Sequence, residues 1–92
     1  MATTQDDIRR WLARGEEQDA THLIVVVDGF DHEDYPVYVH ANEKVREIYD
    51  QYNGKDMQRV MEVYSYALDL ESQIAEHRSF HFEERPASAN SK

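Results

Sequence analysis

The chain has 92 residues, 19 acidic against 10 basic side chains for a formal charge of -9, no cysteine, and 40% hydrophobic residues. That length allows one domain with a thin core and excludes a second. The charge repels a phosphate backbone and so disfavours polymeric nucleic acid as a partner. The lack of cysteine removes disulfides and thiolate zinc sites, making a cytoplasmic setting the expectation.

In chain order, Thr4, Asp7 three residues on, and Ile8, Trp11 and Leu12 at helical spacing predict a capped amphipathic helix over 4–14, stopped near Gly15. Thr21 to Asp28 carries apolar side chains at successive positions, with Val25, Val26 and Val27 in a row, and reads as a strand covered on both faces. Tyr35 to His40 alternates, and Pro36, lacking an N–H, suits a strand start or an edge. The two strands are expected to form an antiparallel hairpin. Asn42 is the expected N-cap of a helix over 43–52, with Val45, Ile48, Tyr49 and Tyr52 on one stripe and Asn53-Gly54 ending it.

From Asp56 to about His77 there is neither Gly nor Pro, which predicts a helix of about 22 residues and roughly 33 Å. Met57, Val60, Met61, Tyr64, Ala67, Leu68 and Ile74 would line one face and Val63, Tyr66 and Leu70 another. One hairpin and two short helices cannot cover both, so a dimer or tetramer through this helix is expected. The longest apolar run, Leu23 to Val27, is too short for a bilayer, and the first thirty residues hold no apolar leader core, so no membrane partner is expected. Residues 83–92 are small, polar and aperiodic and read as a disordered tail on a domain spanning 1–82. The expected fold class is α+β: helix, β-hairpin, helix, long helix.

Three constellations carry chemistry. The hairpin loop gathers Asp28, Asp31, Glu33 and Asp34 beside Phe30, His32 and Tyr35. Its carboxylates are hard oxygen ligands, yet their spacing departs from the EF-hand pattern, so no metal is expected. The bland reading is a hydrophilic turn with Phe30 folded beneath it; the functional one is ligand recognition, with carboxylates accepting base N–H groups and an aromatic face stacking. Second, Asn53-Gly54-Lys55 opens the predicted long helix and brings Lys55 and Arg59 to its positive end, where backbone N–H groups and cations hold phosphate. The bland reading is a linker whose cations offset nearby carboxylates. Third, His77 and His81 are four apart, but no His-Glu-x-x-His pattern forms, so zinc is not expected. The serines have no base at a recognisable spacing.

Arg10-Trp11, Ala20-Thr-His-Leu-Ile-Val-Val-Val-Asp28, Phe30-Asp-His-Glu-Asp-Tyr-Pro-Val-Tyr-Val39 and Tyr52-Asn-Gly-Lys-Asp-Met-Gln-Arg-Val-Met-Glu-Val-Tyr64 together resemble a widespread set of small phage and bacterial proteins, across about residues 8–82. In size and distribution the chain is also similar to phage anti-CBASS sponges, oligomeric proteins that sequester cyclic dinucleotide immune signals without degrading them. That resemblance implies immune evasion in a host cytoplasm, by a homo-oligomer that needs no catalytic group or cofactor.

Side-chain chemistry supplies the candidate residues for binding a small anionic nucleotide. Lys55 and Arg59 would hold phosphate, with Asn53 in the turn beside them. Phe30, Tyr35 and Tyr38 would offer stacking faces, and Asp31 or Asp34 would accept base N–H groups. The alternative is an acidic interaction protein that docks on and inhibits a host protein, its charge being the functional surface. An enzyme is disfavoured, because a metal-dependent phosphodiesterase needs more ligands than His32 and His40 add to the acidic loop.

Overall fold

The computed structural model describes residues 4–30, 33–55, 57–76 and 80–83. In order these form α1 (Gln5–Glu17), β1 (His22–Asp28), β2 (Glu33–Val39), α2 (Val45–Tyr52), β3 (Gln58–Ser65) and α3 (Leu70–Ala75). The strands make one antiparallel sheet in the order β2-β1-β3. The α+β class and the hairpin stand; the long helix does not.

Helix α1 begins with a reciprocal capping box. The Thr4 hydroxyl accepts from Asp7 N–H at 3.1 Å and the Asp7 carboxylate accepts from Thr4 N–H at 3.1 Å. Gly15 does not stop the helix, as spacing had suggested. The chain turns at Asp19, whose φ is 58°, and Ala20 N–H bonds to Gly15 O while Asp19 N–H bonds to Glu16 O. This is a Schellman arrangement with aspartate where glycine usually stands. Gly15 is instead buried in the helix body, where Tyr38 and Tyr66 approach it closely.

Strand β1 is central, and its apolar run is buried on both sides. Leu23 and Val25 join Ile8, Leu12, Tyr64 and Ile74 beneath α1 and α3. Ile24 and Val26 join Val39, Val45, Val60 and Val63 beneath α2. Full burial of each such side chain contributes about 1.5–3 kcal/mol, so this strand anchors both cores. Pro36 lies opposite Val25 on β2, an edge strand, where a missing N–H is tolerated.

Helix α2 starts at Val45 and not at Glu43, and Asn42 does not cap it. The Glu43 carboxylate reaches back to His40 N–H at 2.9 Å while Glu43 N–H donates to His40 O at 2.9 Å. That local turn delays the helix, and Lys44 occupies the N-cap place with no side-chain bond. Asn53-Gly54 ends α2 as expected, Gly54 taking φ of 81°.

The largest correction concerns 57–76, expected as one helix and observed as strand β3, a turn and the short helix α3. A β-bulge explains the misreading. Val26 pairs with Val60 and Val25 with Glu62, so Met61 is extra. Beyond the bulge, Val60 and Val63 share one face and Met61 and Tyr64 the other, each pair three residues apart. That spacing mimics a helix. Tyr66 and Leu70 consequently pack on the core beneath α1, so most of the apolar side chains that motivated assembly through a long helix are covered within the chain, Met57 and Leu68 remaining exposed.

Gln73, on α3, is buried, and its side-chain amide replaces a neighbouring strand for the end of β3. Ser65 N–H donates to Oε1 at 2.8 Å, and Nε2 donates to Ser65 O at 2.8 Å and Asp69 O at 3.1 Å. Residues 80–83 run along β3: Phe80 bridges Val63 in parallel, His81 N–H donates to Val63 O, and Phe82 packs edge-on against Tyr49. The Glu83 carbonyl accepts from Ser65 Oγ at 2.6 Å and His22 Nε2 at 2.9 Å. Because a carbonyl only accepts, Nε2 of buried His22 carries a proton.

Tyr64 and Tyr66 ionise less readily than ordinary tyrosine. Burial is the main cause for both; a hydrogen bond to Glu62 adds to it in Tyr64, and the neighbouring Tyr38 and Glu16 add to it in Tyr66. A raised folded-state pKa gives stability that is fully present below the unfolded value of about 10 and lost as pH climbs above it. Alkaline titration is therefore expected to unfold the protein above about pH 10, with part of the tyrosinate absorbance appearing only as circular dichroism is lost. Complete ionisation of the tyrosines in a folded protein would contradict this placement.

Candidate functional site

The fold brings two of the constellations together at one end of the sheet, where β1 ends and β2 and β3 begin. Asp28 closes β1, and its Oδ1 accepts from Phe30 N–H at 2.9 Å, an Asx-type turn that sets the loop's direction. Gly29 N–H then donates to Met57 O at 2.8 Å. A Cβ at Gly29 would lie 2.9 Å from that same oxygen, so glycine permits the approach. The hairpin loop is thus latched to the turn between α2 and β3, with Met57 itself at φ of 62°.

Phe30 and Met57 are 74% and 66% exposed, more than any other large apolar side chain among the described residues. Phe30 is not folded beneath the loop. Behind them lies a polar and aromatic cluster on the α2 face. Gln58 Nε2 donates to Tyr35 Oη at 2.7 Å, the Tyr35 and Tyr52 rings meet edge to face at 6.4 Å, and Asn53 Nδ2 donates to Tyr49 Oη at 3.2 Å. Burial raises the Tyr35 pKa, with Tyr52 and Asp28 adding to it.

Register fixes the charges at this end. Val27 is flanked by Asp34 on β2 and Arg59 on β3, so this row lies on the α1 and α3 face, spanning about 10 Å at the usual strand spacing. The terminal row on the opposite face is Glu33, Asp28 and Gln58. Lys55 and Arg59 are exposed, and among the described residues neither side chain takes part in an ion pair or hydrogen bond.

Of the expected binding residues, Phe30, Asp34, Tyr35, Asn53, Lys55 and Arg59 gather at this end, and Asp31 lies outside the described residues. Tyr38 does not belong with them. It faces α1, where Oη donates to Trp11 O at 2.9 Å, so Tyr35 and Tyr38 stand on opposite faces and cannot share one base. Asn53 serves structure, its Oδ1 accepting from Val60 N–H at 3.1 Å. Lys55 and Arg59 do not sit at the start of a long helix, since β3 begins there, so any hold on phosphate would come from their side chains. Sequence reasoning missed Met57 and Gln58, which it placed inside a helix; the turn-forming Asn53-Gly54 just before them was the available signal.

A separate open depression of about 530 Å³ lies at the start of α2 and includes Lys44, Arg46 and Phe82. The Arg46 guanidinium covers the Phe82 ring at 4.2 Å, so that cation is already engaged. Among the described residues no cluster of histidine and carboxylate side chains has metal-binding geometry, and no helix is long and apolar enough to cross a membrane. The chain matches no protein-family model, no curated protein and no solved structure.

Proposed function

We propose that the protein is a non-catalytic docking protein, engaging another protein through the end where Phe30 and Met57 stand exposed. The observation that carries this reading is the latch between Gly29 and Met57, which holds an aromatic and a thioether side chain out to solvent on a sheet-supported turn. Exposed apolar groups of this kind serve as interface anchors, methionine adapting to irregular surfaces and the aromatic ring filling a pocket. Asp28, Glu33 and Asp34 beside them favour partners carrying positive charge near the contact.

Phe30→Asp and Met57→Asp are expected to leave the melting temperature nearly unchanged, because both side chains are exposed, while abolishing association. Affinity capture from the producing cells with wild type and the double variant is the direct comparison. Partners retained by wild type and lost by the variant support the reading; identical sets oppose it.

Sequestration of a small anionic nucleotide, such as a cyclic dinucleotide, is the second reading. Lys55 and Arg59, exposed at the same end as Phe30 and without an ion pair or hydrogen bond among the described residues, favour it. Calorimetric titration with cyclic dinucleotides decides between the two. Heat that weakens roughly tenfold or more in Arg59→Ala supports sequestration, consistent with losing a charge-assisted bond. No heat from any of them leaves docking.

A further inference from the structure

The geometry points to a second copy of this chain as an occupant of the hairpin end, an inference that rests on the docking reading and names its partner. The sheet edges offer little for self-association. Pro36 interrupts the N–H groups of β2, and residues 80–83 lie along β3. The hairpin end, in contrast, is self-complementary.

Charge is divided across that end. β2 contributes Glu33 and Asp34, whereas the β3 side contributes Lys55 and Arg59, and even with Asp56 between them in sequence that side stays net positive. Consider two copies meeting end to end about a two-fold axis normal to the sheet. This operation carries β2 of one copy onto β3 of the other and keeps each face on its own side. Asp34 and Arg59, which share the α1 and α3 face, would each meet the opposite charge on the second copy, and the contact would be reciprocal as an isologous interface requires. An axis lying in the sheet plane would set acid against acid. Phe30 and Met57, near the chosen axis, would bury apolar surface between the two charged flanks. So small a contact fits a weak dimer that forms at high protein concentration and loosens with salt.

Sedimentation velocity from micromolar to millimolar protein tests this with charge exchange. Glu33→Lys with Asp34→Lys gives the β2 flank the same positive sign as Lys55 and Arg59, with Asp28 unchanged between them, and Lys55→Glu with Arg59→Glu gives the β3 flank the same negative sign as Glu33 and Asp34. Each double variant alone is expected to dimerise roughly tenfold or more weakly than wild type, and an equimolar mixture to regain dimers at least as stable as wild type. Melting curves by circular dichroism establish that both variants fold; should either fail, loss of the wild-type dimer in Phe30→Asp and its weakening by salt carry the test. A wild type that stays monomeric at millimolar concentration, variants that dimerise like wild type, or a mixture that stays monomeric would overturn the inference. If the wild type is monomeric while Phe30→Asp still loses a foreign protein, docking stands and the second copy is excluded.

Discussion

Replacing Gln73 with leucine is expected to cost about 2–5 kcal/mol, because both the N–H and the C=O of Ser65 would lose their partner in a buried setting, at about 1–3 kcal/mol each. Leucine fills similar space and adds apolar contact, which offsets part of the loss. A fall in the urea midpoint with an unchanged slope is the expected signature. Gln73→Glu sharpens the test. The carboxylate still accepts from Ser65 N–H, yet at neutral pH it has no proton for Ser65 O and carries a buried charge. That variant should therefore recover part of its stability relative to wild type on mild acidification, as the carboxyl gains a donor. Near wild-type midpoints for both variants would show that the amide bridge contributes little.

Gly15→Ala is expected to destabilise the protein by about 1–3 kcal/mol, the usual effect of overpacking, even though alanine is the better helix former by about 1 kcal/mol. An added Cβ would collide with Tyr66 Oη and stand 3.0 Å from its Cζ and 3.1 Å from Tyr38 Cδ1. Tyr66 cannot withdraw cheaply, since its hydroxyl donates to Leu12 O at 2.6 Å. In a domain of this size each kilocalorie corresponds to roughly 4–8 °C of melting temperature. The double variant with Tyr66→Phe removes the nearest atom and should cost less than the sum of the single changes. A higher melting temperature for Gly15→Ala would mean that helix propensity outweighs the contact.

Those two positions also mark where sequence reading succeeds and fails. Local chemistry declares itself: the Thr4 and Asp7 cap, the doubly buried strand through Val25, the edge proline and the Asn53-Gly54 stop were all legible, because each depends on residues a few positions apart. Gly15 misled because its reason is a tyrosine far along the chain. Strand β3 misled because one extra residue, Met61, turns a two-residue period into three-residue steps, and no glycine or proline marks the bulge. Glu43 displaced the start of α2 through a carboxylate that found His40 N–H first. For the candidate site, the acidic loop and the Asn53-Gly54-Lys55 turn drew attention separately. Their meeting through Gly29 and Met57 is a long-range contact that neither segment encodes alone. Tyr38 parts from Tyr35 because the sheet pleat sends the two to opposite sides, an outcome that follows from their odd separation in a strand.

The two donors on the Glu83 carbonyl have a practical consequence for anything joined to the chain beyond it. His22 and Ser65 lie at the first residue of β1 and the last of β3, so Glu83 is pinned at the opposite end of the sheet from Phe30 and Met57. β3 has eight residues, and the length of such a strand, roughly 25 Å, separates the two ends. A fluorophore, affinity handle or surface tether attached past Glu83 would therefore point the exposed pair outward, which makes the carboxyl side the better place for immobilisation and leaves the hairpin end open to whatever it meets.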